Sequence, residues 1–230
     1  MKTSTALGYA DLRPLMSRMT GDEKHSSSAT STLDVLWTLY DRVLHVDAER
    51  PTAPDRDRFL LSKGHGPMAY YAVLAAKGFF PLDWLDGFGT FDSPLGYHPD
   101  RTLVPGVEIS SGSLGHGLPM AVGLALGLRA GVEPLPRVVV MTGDAELDEG
   151  SNHEAIAIAA RFGLDHLTAV VIDNASASHG WPGGIATRFA VEGWAASTVD
   201  GRDHDALESA LTATYPGRPN VVVAAVESKG

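Results

Sequence analysis

Several residue types and patterns are scarce in this 230-residue chain, and each scarcity excludes a class of protein. There is no cysteine, which excludes disulfides and thiolate zinc sites. No apolar run approaches the roughly 18 residues of a membrane-spanning helix, and the polar N-terminus lacks a signal-peptide pattern, so we expect a cytoplasmic protein without membrane contact. Acidic residues outnumber basic ones by 28 to 18, and the net charge of −10 argues against nucleic-acid binding.

The central part of the chain predicts a strand–helix–strand unit. Residues 138–140 and 170–172 are β-branched apolar runs, and the Ala-rich residues 152–162 between them contain no Gly or Pro, which suits a helix. The strands should therefore be parallel, and ligands of such sheets bind beyond the carboxyl ends of the strands. Asp144 and Asn174 follow the two strands. Their oxygen donors suit Mg²⁺ or Ca²⁺, which predicts a metal–diphosphate site.

Two glycine-rich loops each carry a histidine. An apolar run at 58–61, predicted as a strand, leads into Ser-Lys-Gly-His-Gly at 62–66 and then into a predicted helix at 68–77. A second loop, Ser-Gly-Ser-Leu-Gly-His-Gly at 111–117, precedes a predicted helix of small residues at 118–127. Glycines let such loops turn tightly beside a ligand, and a following helix N-terminus favours an anion.

Together these motifs resemble the transketolase form of the thiamine-diphosphate-binding motif. Gly-Asp-Ala opens it at 143–145, and Asn174 closes it thirty residues after Asp144. The resemblance runs from about residue 22 to 230 and implies an α/β fold, a three-layer αβα arrangement around a mostly parallel sheet. We expect one diphosphate-binding domain over residues 1–230, of which residues 1–20 are a weakly amphipathic lead.

The resemblance also implies the roles of individual residues. The metal ligands would be Asp144, Asn174 and the backbone carbonyl of Ser176. The cofactor, thiamine diphosphate, would be held by His65, Gly112, Ser113, Leu114, Gly143, Asp144, Ala145, Glu146 and Asn174. Glu149 and Glu154 match family glutamates associated with the interface between subunits and with proton communication between cofactor sites. The alternative is an acidic pair at a helix N-terminus, which the helix dipole favours.

Four histidines are the candidate catalytic residues. His65 and His116 lie in the glycine-rich loops, and His98 lies in Gly-Tyr-His-Pro-Asp at 96–100. His25 precedes Asp34 by nine residues, which is the family's spacing, and Thr30 or Ser31 is predicted to cap the helix between them. His204 is predicted to be solvated at a helix start. The sequence departs from the family pattern at Lys24, Ser26, Ala145 and His179, and Ala145 is compatible only with a negative φ.

The resemblance covers only the diphosphate-binding half of a transketolase. We therefore expect the partner to be a separate C-terminal, pyrimidine-binding transketolase subunit, and the complex to be a heterotetramer with active sites at the interfaces. The expected reaction transfers a two-carbon ketol unit from a ketose donor to an aldehyde acceptor. Two alternatives remain open at this point. One is an alpha subunit of a 2-oxo-acid dehydrogenase, which the loops around His65 and His98 disfavour. The other is a scaffold subunit without cofactor.

Overall fold

The fold is built around one sheet of five parallel strands. A computed structural model describes residues 7–131 and 133–228. The strand order is β1-β2-β3-β5-β4, and each neighbouring pair is parallel. The strands are β1 (Arg58–Leu61), β2 (Val138–Gly143), β3 (Leu167–Asp173), β4 (Ala195–Asp200) and β5 (Asn220–Ala225). The predicted strand–helix–strand unit is confirmed as β2, a helix and β3.

Helices cover both faces of the sheet. They are α1 (Tyr9–Met16), α2 (Ser26–Thr38), α3 (Met68–Ala76), α4 (Gly117–Leu128), α5 (Gly150–Arg161), α6 (Gly184–Val191) and α7 (His204–Thr212). Short 3₁₀ turns at Glu23–His25, Leu82–Gly87 and Ala145–Asp148 add to them, and α2 widens into a π-helical turn at Leu39–Val43. Within the described ranges, no helix combines the length and apolar character that a bilayer crossing requires.

Two apolar cores lie on opposite faces of the sheet. Val139 and Met141 of β2 point into the core shared with α1, α2, α3 and α7, whereas Val138 and Val140 point into the core shared with α4, α5 and α6. Successive side chains of a strand alternate between the two faces, and both faces are covered, so all four valine and methionine side chains are buried. This arrangement confirms the predicted three-layer αβα fold.

Two local predictions at helix starts are wrong. α2 begins at Ser26 rather than at Thr30 or Ser31, whose hydroxyls donate to carbonyls of the preceding turn inside the helix. His204 is not solvated, because its Nε2 lies 2.9 Å from an oxygen of the buried Asp34 carboxylate. The two errors have different causes: Thr30 and Ser31 find acceptors one turn back within α2, whereas packing between α2 and α7 brings the partner of His204.

The register of the sheet brings three strand ends together. Leu61 at the end of β1 pairs with Met141, and Gly143 at the end of β2 pairs with Ile172 of β3. The chain therefore leaves β1, β2 and β3 at neighbouring points on one edge. The loops that follow these strands carry the residues that the sequence singled out, so this edge is where a ligand site is expected.

Candidate active site

A cavity of about 250 Å³ opens at this edge of the sheet. It is lined by residues from the loops after β1, β2 and β3, from the start of α2, and from the loop before α4. These residues are His25, Ser28, Lys63, His65, Leu114, Gly143, Asp144, Ala145, Glu146, Asn174 and Ser176. Residues that are more than a hundred positions apart in the chain thus share one small volume.

Asp144 is the most heavily hydrogen-bonded carboxylate of the cavity. Its Oδ1 accepts from the Ser176 hydroxyl at 2.6 Å and from the Ala145 backbone N–H at 2.9 Å. Its Oδ2 accepts from the backbone N–H groups of Ser176, at 2.6 Å, and Ala177, at 3.1 Å. The side chain is 1% exposed. Asp144 therefore joins the ends of β2 and β3 and orders the loop that contains Asn174 and Ser176.

Asn174 supplies the observation that points most directly to a ligand. Its Oδ1 is buried and has no hydrogen-bond partner within the described residues, although the residue lines the cavity beside Asp144. Buried polar atoms rarely lack a partner, and an amide oxygen beside a carboxylate suits a hard cation. Within the described ranges no group of three His, Cys, Asp or Glu side chains could hold a metal. A cation here would depend on one carboxylate with amide and carbonyl oxygens.

Ala145 fits the backbone at the position where the family usually has Gly. Ala145 begins the 3₁₀ turn after Asp144, and among the described non-glycine residues only Ala175 has a positive φ, of 56°. The condition for tolerating the Ala145 methyl group, a negative φ, is therefore met. Backbone strain is instead found at Ala175, between Asn174 and Ser176, which agrees with the tendency of strain to concentrate at functional sites.

Three of the four predicted catalytic histidines form a row at the cavity. The ring centroids of His25 and His65 are 5.5 Å apart, and those of His65 and His98 are 5.1 Å apart. Gly66 permits this approach, because a Cβ there would lie 2.7 Å from the backbone oxygen of His25. Burial lowers the pKa of His98, as does the neighbouring His65, while the nearby Asp22 carboxylate opposes the shift. These surroundings favour the neutral form of His98.

Glu146 ties the cavity loops to one another. Its Oε1 accepts from the Ser62 hydroxyl at 2.5 Å and from the Gly115 N–H at 2.9 Å, and Oε2 accepts from the Gly143 N–H at 3.4 Å. Burial raises the pKa of Glu146, and these hydrogen bonds oppose the shift only in part. The carboxylate thus connects the loops that carry His65, Leu114 and Asp144, which makes it a structural element of the cavity wall.

Other predicted site residues lie outside the cavity. His116 and Ser113 are exposed just before α4, and Glu149 and Glu154 are exposed at the start of α5. Gly112 is next to the cavity and packs against His98, since a Cβ at Gly112 would lie 2.6 Å from the imidazole. The structure therefore separates the predicted residues into a group that shares one volume and a group on the adjacent surface.

Three residues of the cavity region were not singled out from the sequence. Lys63 and Ser28 line the cavity, and the buried Lys63 ammonium lies 3.4 Å from the Ser28 carbonyl. Asp22 is buried beside His25, with 2.6 Å between its Oδ1 and the Nδ1 of the ring. A lysine in a glycine-flanked loop after a strand is a recognisable signal of a phosphate binder. Nothing in the local sequence distinguishes Asp22 from its neighbour Glu23.

A parallel α/β sheet, a cavity at its carboxyl edge and neighbouring Asp and Asn side chains in that cavity are typical of a cofactor-binding domain. The family profile of the transketolase thiamine diphosphate binding domain matches residues 19–225. The chain belongs to the transketolase family through this domain. A transketolase from Leishmania mexicana has the same fold, with a TM-score of 0.76 and 26% identity over 90% of this chain and 37% of that one. The predicted family is therefore confirmed.

Two sequence relatives match most of this chain and about three quarters of their own length. One, from Actinobacillus succinogenes, is named as one of the subunits of an apulose-4-phosphate transketolase, and it is 37% identical over 87% of this chain and 75% of its own length. A Rhodococcoides fascians protein named ferredoxin fas2 is 58% identical over 96% of this chain and 73% of its own length. Iron–sulfur clusters are held mainly by cysteine thiolates, and the 230 residues here contain none, so the shared region provides no such ligand.

Proposed function

We propose that this chain is the diphosphate-binding subunit of a two-component transketolase. It would bind thiamine diphosphate with Mg²⁺ and, with a separate pyrimidine-binding subunit, transfer a two-carbon ketol unit from a ketose to an aldehyde. The observation that carries the proposal is the unpartnered, buried Asn174 Oδ1 beside Asp144 in the cavity at the carboxyl edge of the sheet. The name of the Actinobacillus succinogenes relative, which describes one subunit of a transketolase, supports the two-component arrangement.

The metal and the diphosphate would be held by residues from all three strand ends. Asp144, Asn174 and the Ser176 carbonyl would provide the oxygen ligands, and Mg²⁺ bound in this way is usually completed by phosphates and water. The Lys63 ammonium, which is buried in the cavity wall, adds a positive charge where a diphosphate would lie. Ca²⁺ has the same preference for oxygen ligands and is an alternative occupant.

The histidine row would handle protons and orient the substrate. When bound, the thiazolium ring of the cofactor supplies the electron sink for breaking the carbon–carbon bond of the ketose. His25 and His65 line the cavity, and His98 stands beside His65. Imidazoles exchange protons near neutral pH, so these rings can hydrogen-bond the donor's hydroxyl groups and carbonyl oxygen and transfer protons to and from them.

Native mass spectrometry tests the proposal directly. The full chain is measured alone and after mixing with a pyrimidine-binding transketolase subunit, each time with thiamine diphosphate and Mg²⁺ and, as a control, with thiamine and Mg²⁺. We expect a heterotetramer that retains the diphosphate and the metal but not thiamine, since the cavity provides ligands for the phosphates rather than for the ring.

Two other outcomes would contradict the proposal in different ways. A complex that forms but retains no cofactor would support the scaffold alternative. A complex that binds the cofactor yet releases carbon dioxide from a 2-oxo acid and transfers no ketol unit would support the dehydrogenase alternative. Ketol transfer between a ketose phosphate and an aldehyde, measured on the same complex, distinguishes the latter from a transketolase.

A further inference from the structure

Asp22 is a buried carboxylate at the edge of the histidine row. Its side chain is 3% exposed, and its Oδ1 lies 2.6 Å from the Nδ1 of His25. Its Oδ2 is buried without a hydrogen-bond partner in the described part of the chain. Burying a carboxylate is unfavourable unless hydrogen bonds or opposite charges stabilise it. Within the described residues, the only hydrogen bond of this side chain is the one with the imidazole of His25. The function of Asp22 is therefore expected to act through His25.

The contact determines which nitrogen of His25 carries the proton. An ionised carboxylate can only accept hydrogen bonds, so Nδ1 must be the protonated nitrogen of the pair. In the neutral imidazole the other nitrogen, Nε2, is then an acceptor. Because His25 lines the cavity and its Nδ1 is already bonded, Nε2 is the nitrogen left to accept a hydrogen bond from a ligand.

The surroundings of His25 support a fixed orientation. The turn Glu23–His25 is held by a backbone hydrogen bond from His25 to the Asp22 carbonyl at 2.9 Å, so carboxylate and imidazole belong to one compact unit. His65 lies beside the ring, with its centroid 5.5 Å away, and His98 follows it in the row. Lys63, from the loop after β1, lines the same cavity, and Glu23 and Lys24 belong to the turn of His25 itself. Within the described residues, the carboxylate that contacts the ring is that of Asp22.

We propose that Asp22 is a positioning residue that holds His25 in the tautomer with a protonated Nδ1. In this state Nε2 faces the cavity as a hydrogen-bond acceptor for a hydroxyl group of the sugar donor, and it can take up that hydroxyl's proton. The identity of the hydroxyl donor rests on the proposed transketolase function. The tautomer itself does not, because it follows from the Asp22–His25 contact alone.

The first test measures the tautomer in the full chain. Long-range ¹H–¹⁵N correlation spectra of the His25 ring distinguish a protonated Nδ1 from a protonated Nε2. We expect the Nδ1-protonated form in the unmodified protein and its loss in Asp22→Ala. Glu23→Gln is the matched control, because it removes a neighbouring charge while an amide oxygen remains for the Gly21 N–H. A proton on Nε2 in the unmodified protein, or the same tautomer in Asp22→Ala, would overturn the proposal.

The second test measures the consequence in the reconstituted complex. Asp22→Asn keeps the size of the side chain and an amide oxygen that can still accept from Nδ1, so it is the conservative variant that controls for a folding defect. We expect kcat/KM for ketol transfer to fall about 100-fold in Asp22→Ala, at the lower end of general acid–base contributions, with unchanged affinity for thiamine diphosphate and a much smaller loss in Asp22→Asn. An equal loss of cofactor affinity would indicate a structural role and refute the proposal. If the tautomer is as expected but the complex transfers no ketol unit at all, the transketolase function fails while the positioning of His25 stands.

Discussion

Two buried carboxylates, Asp34 within α2 and Asp144 directly after β2, have different surroundings. Asp34 accepts hydrogen bonds from the Tyr9 hydroxyl and the Arg202 guanidinium, each at 2.6 Å, and its Oδ1 lies 2.9 Å from the Nε2 of His204. These donors are side chains from two separate parts of the fold, α1 and the start of α7 with the turn that leads into it. Asp144 instead accepts mainly from backbone groups of the next loop, and the buried Asn174 Oδ1 beside it has no partner within the described ranges.

The difference distinguishes a structural cluster from a ligand site. Around Asp34 the polar groups satisfy one another, so the cluster connects α1, α2 and the start of α7. Around Asp144 the protein satisfies the carboxylate but leaves the Asn174 Oδ1, which is buried at the cavity, without a partner within the described residues. Burial would raise the pKa of Asp34, but the hydrogen bonds from Tyr9, His204 and Arg202 lower it. Its charge is therefore stabilised by the fold itself. A buried oxygen that lines a cavity and has no protein partner is a candidate ligand atom.

The largest expected effect is on binding, in Asp144→Ala. Residues that only support a metal ligand typically change affinity 10- to 100-fold when replaced, so loss of a direct ligand should weaken binding of Mg²⁺ and thiamine diphosphate by at least about 100-fold. Isothermal titration of the reconstituted complex with thiamine diphosphate in excess Mg²⁺ measures this. Asp165→Asn is the control, since this 41% exposed carboxylate lies outside the cavity lining and accepts from the Gly217 N–H. Unchanged affinity in Asp144→Ala would contradict the proposed role of Asp144 as a metal ligand.

The next effect is on stability, in Asp34→Ala. Removing one member of a buried ionic cluster typically costs about 3 kcal/mol or more, because the remaining groups lose their partner. We expect the free energy of unfolding in urea to fall by about this amount while cofactor affinity stays unchanged. Asp205→Asn, which breaks a pair with Arg42 at a 91% exposed carboxylate, should cost less than about 1 kcal/mol.

The effect of Asp34→Ala on the free energy of unfolding is expected to depend on pH. Because the pKa of Asp34 is lower in the folded state than in the unfolded chain, its stabilisation is present above about pH 4 and is lost as the pH falls through the folded-state pKa. The stability difference between the unmodified protein and Asp34→Ala should therefore shrink in acid. A difference that stays constant between pH 7 and pH 3 would show that the carboxylate charge does not stabilise the cluster.

The smallest effect is expected in Glu146→Gln. Glu146 lies at the ligand edge, and its oxygens accept from donors that tie the cavity loops together, so we expect it to act on stability, as Asp34 does. The amide keeps one acceptor for Ser62 and Gly115 and loses the long hydrogen bond from Gly143. We expect a loss of about 1 kcal/mol in urea unfolding and less than a tenfold change in cofactor affinity. A Glu146→Gln variant with full stability and no cofactor binding would contradict this assignment and place Glu146 with the ligand site around Asp144.

Local sequence patterns predicted much of the fold. The β-branched runs at 138–140 and 170–172 gave two strands of the sheet, and the Ala-rich segment between them gave α5, because period and composition are properties of short segments. The predicted start of α2 was wrong by several residues. Ser26, Thr30 and Ser31 are all plausible capping residues, and the turn Glu23–His25, which sets the start of the helix, is fixed by the burial of Asp22.

The candidate site was predicted in part for a related reason. Asp144, Asn174 and His65 follow strands, and the carboxyl ends of parallel strands meet at one edge, so their proximity follows from the order of the chain. The row formed by His25, His65 and His98 depends instead on how the start of α2 and two loops pack together. His116 lies between two glycines, as His65 does, yet it is exposed before α4 and lies outside the cavity.

The sequence by itself determined the class of sheet, the edge at which ligands bind and the family, because strand periodicity and glycine-flanked motifs are encoded within a few residues. Only the tertiary structure decided which buried acids are satisfied. Asp34, Asp144 and Glu146 look alike in the sequence, but their partners come from elements far apart in the chain. Packing buries these carboxylates and supplies their partners. It also leaves the neighbouring Asn174 Oδ1 without a partner within the described residues, and this marks Asp144 as the carboxylate expected to hold a metal.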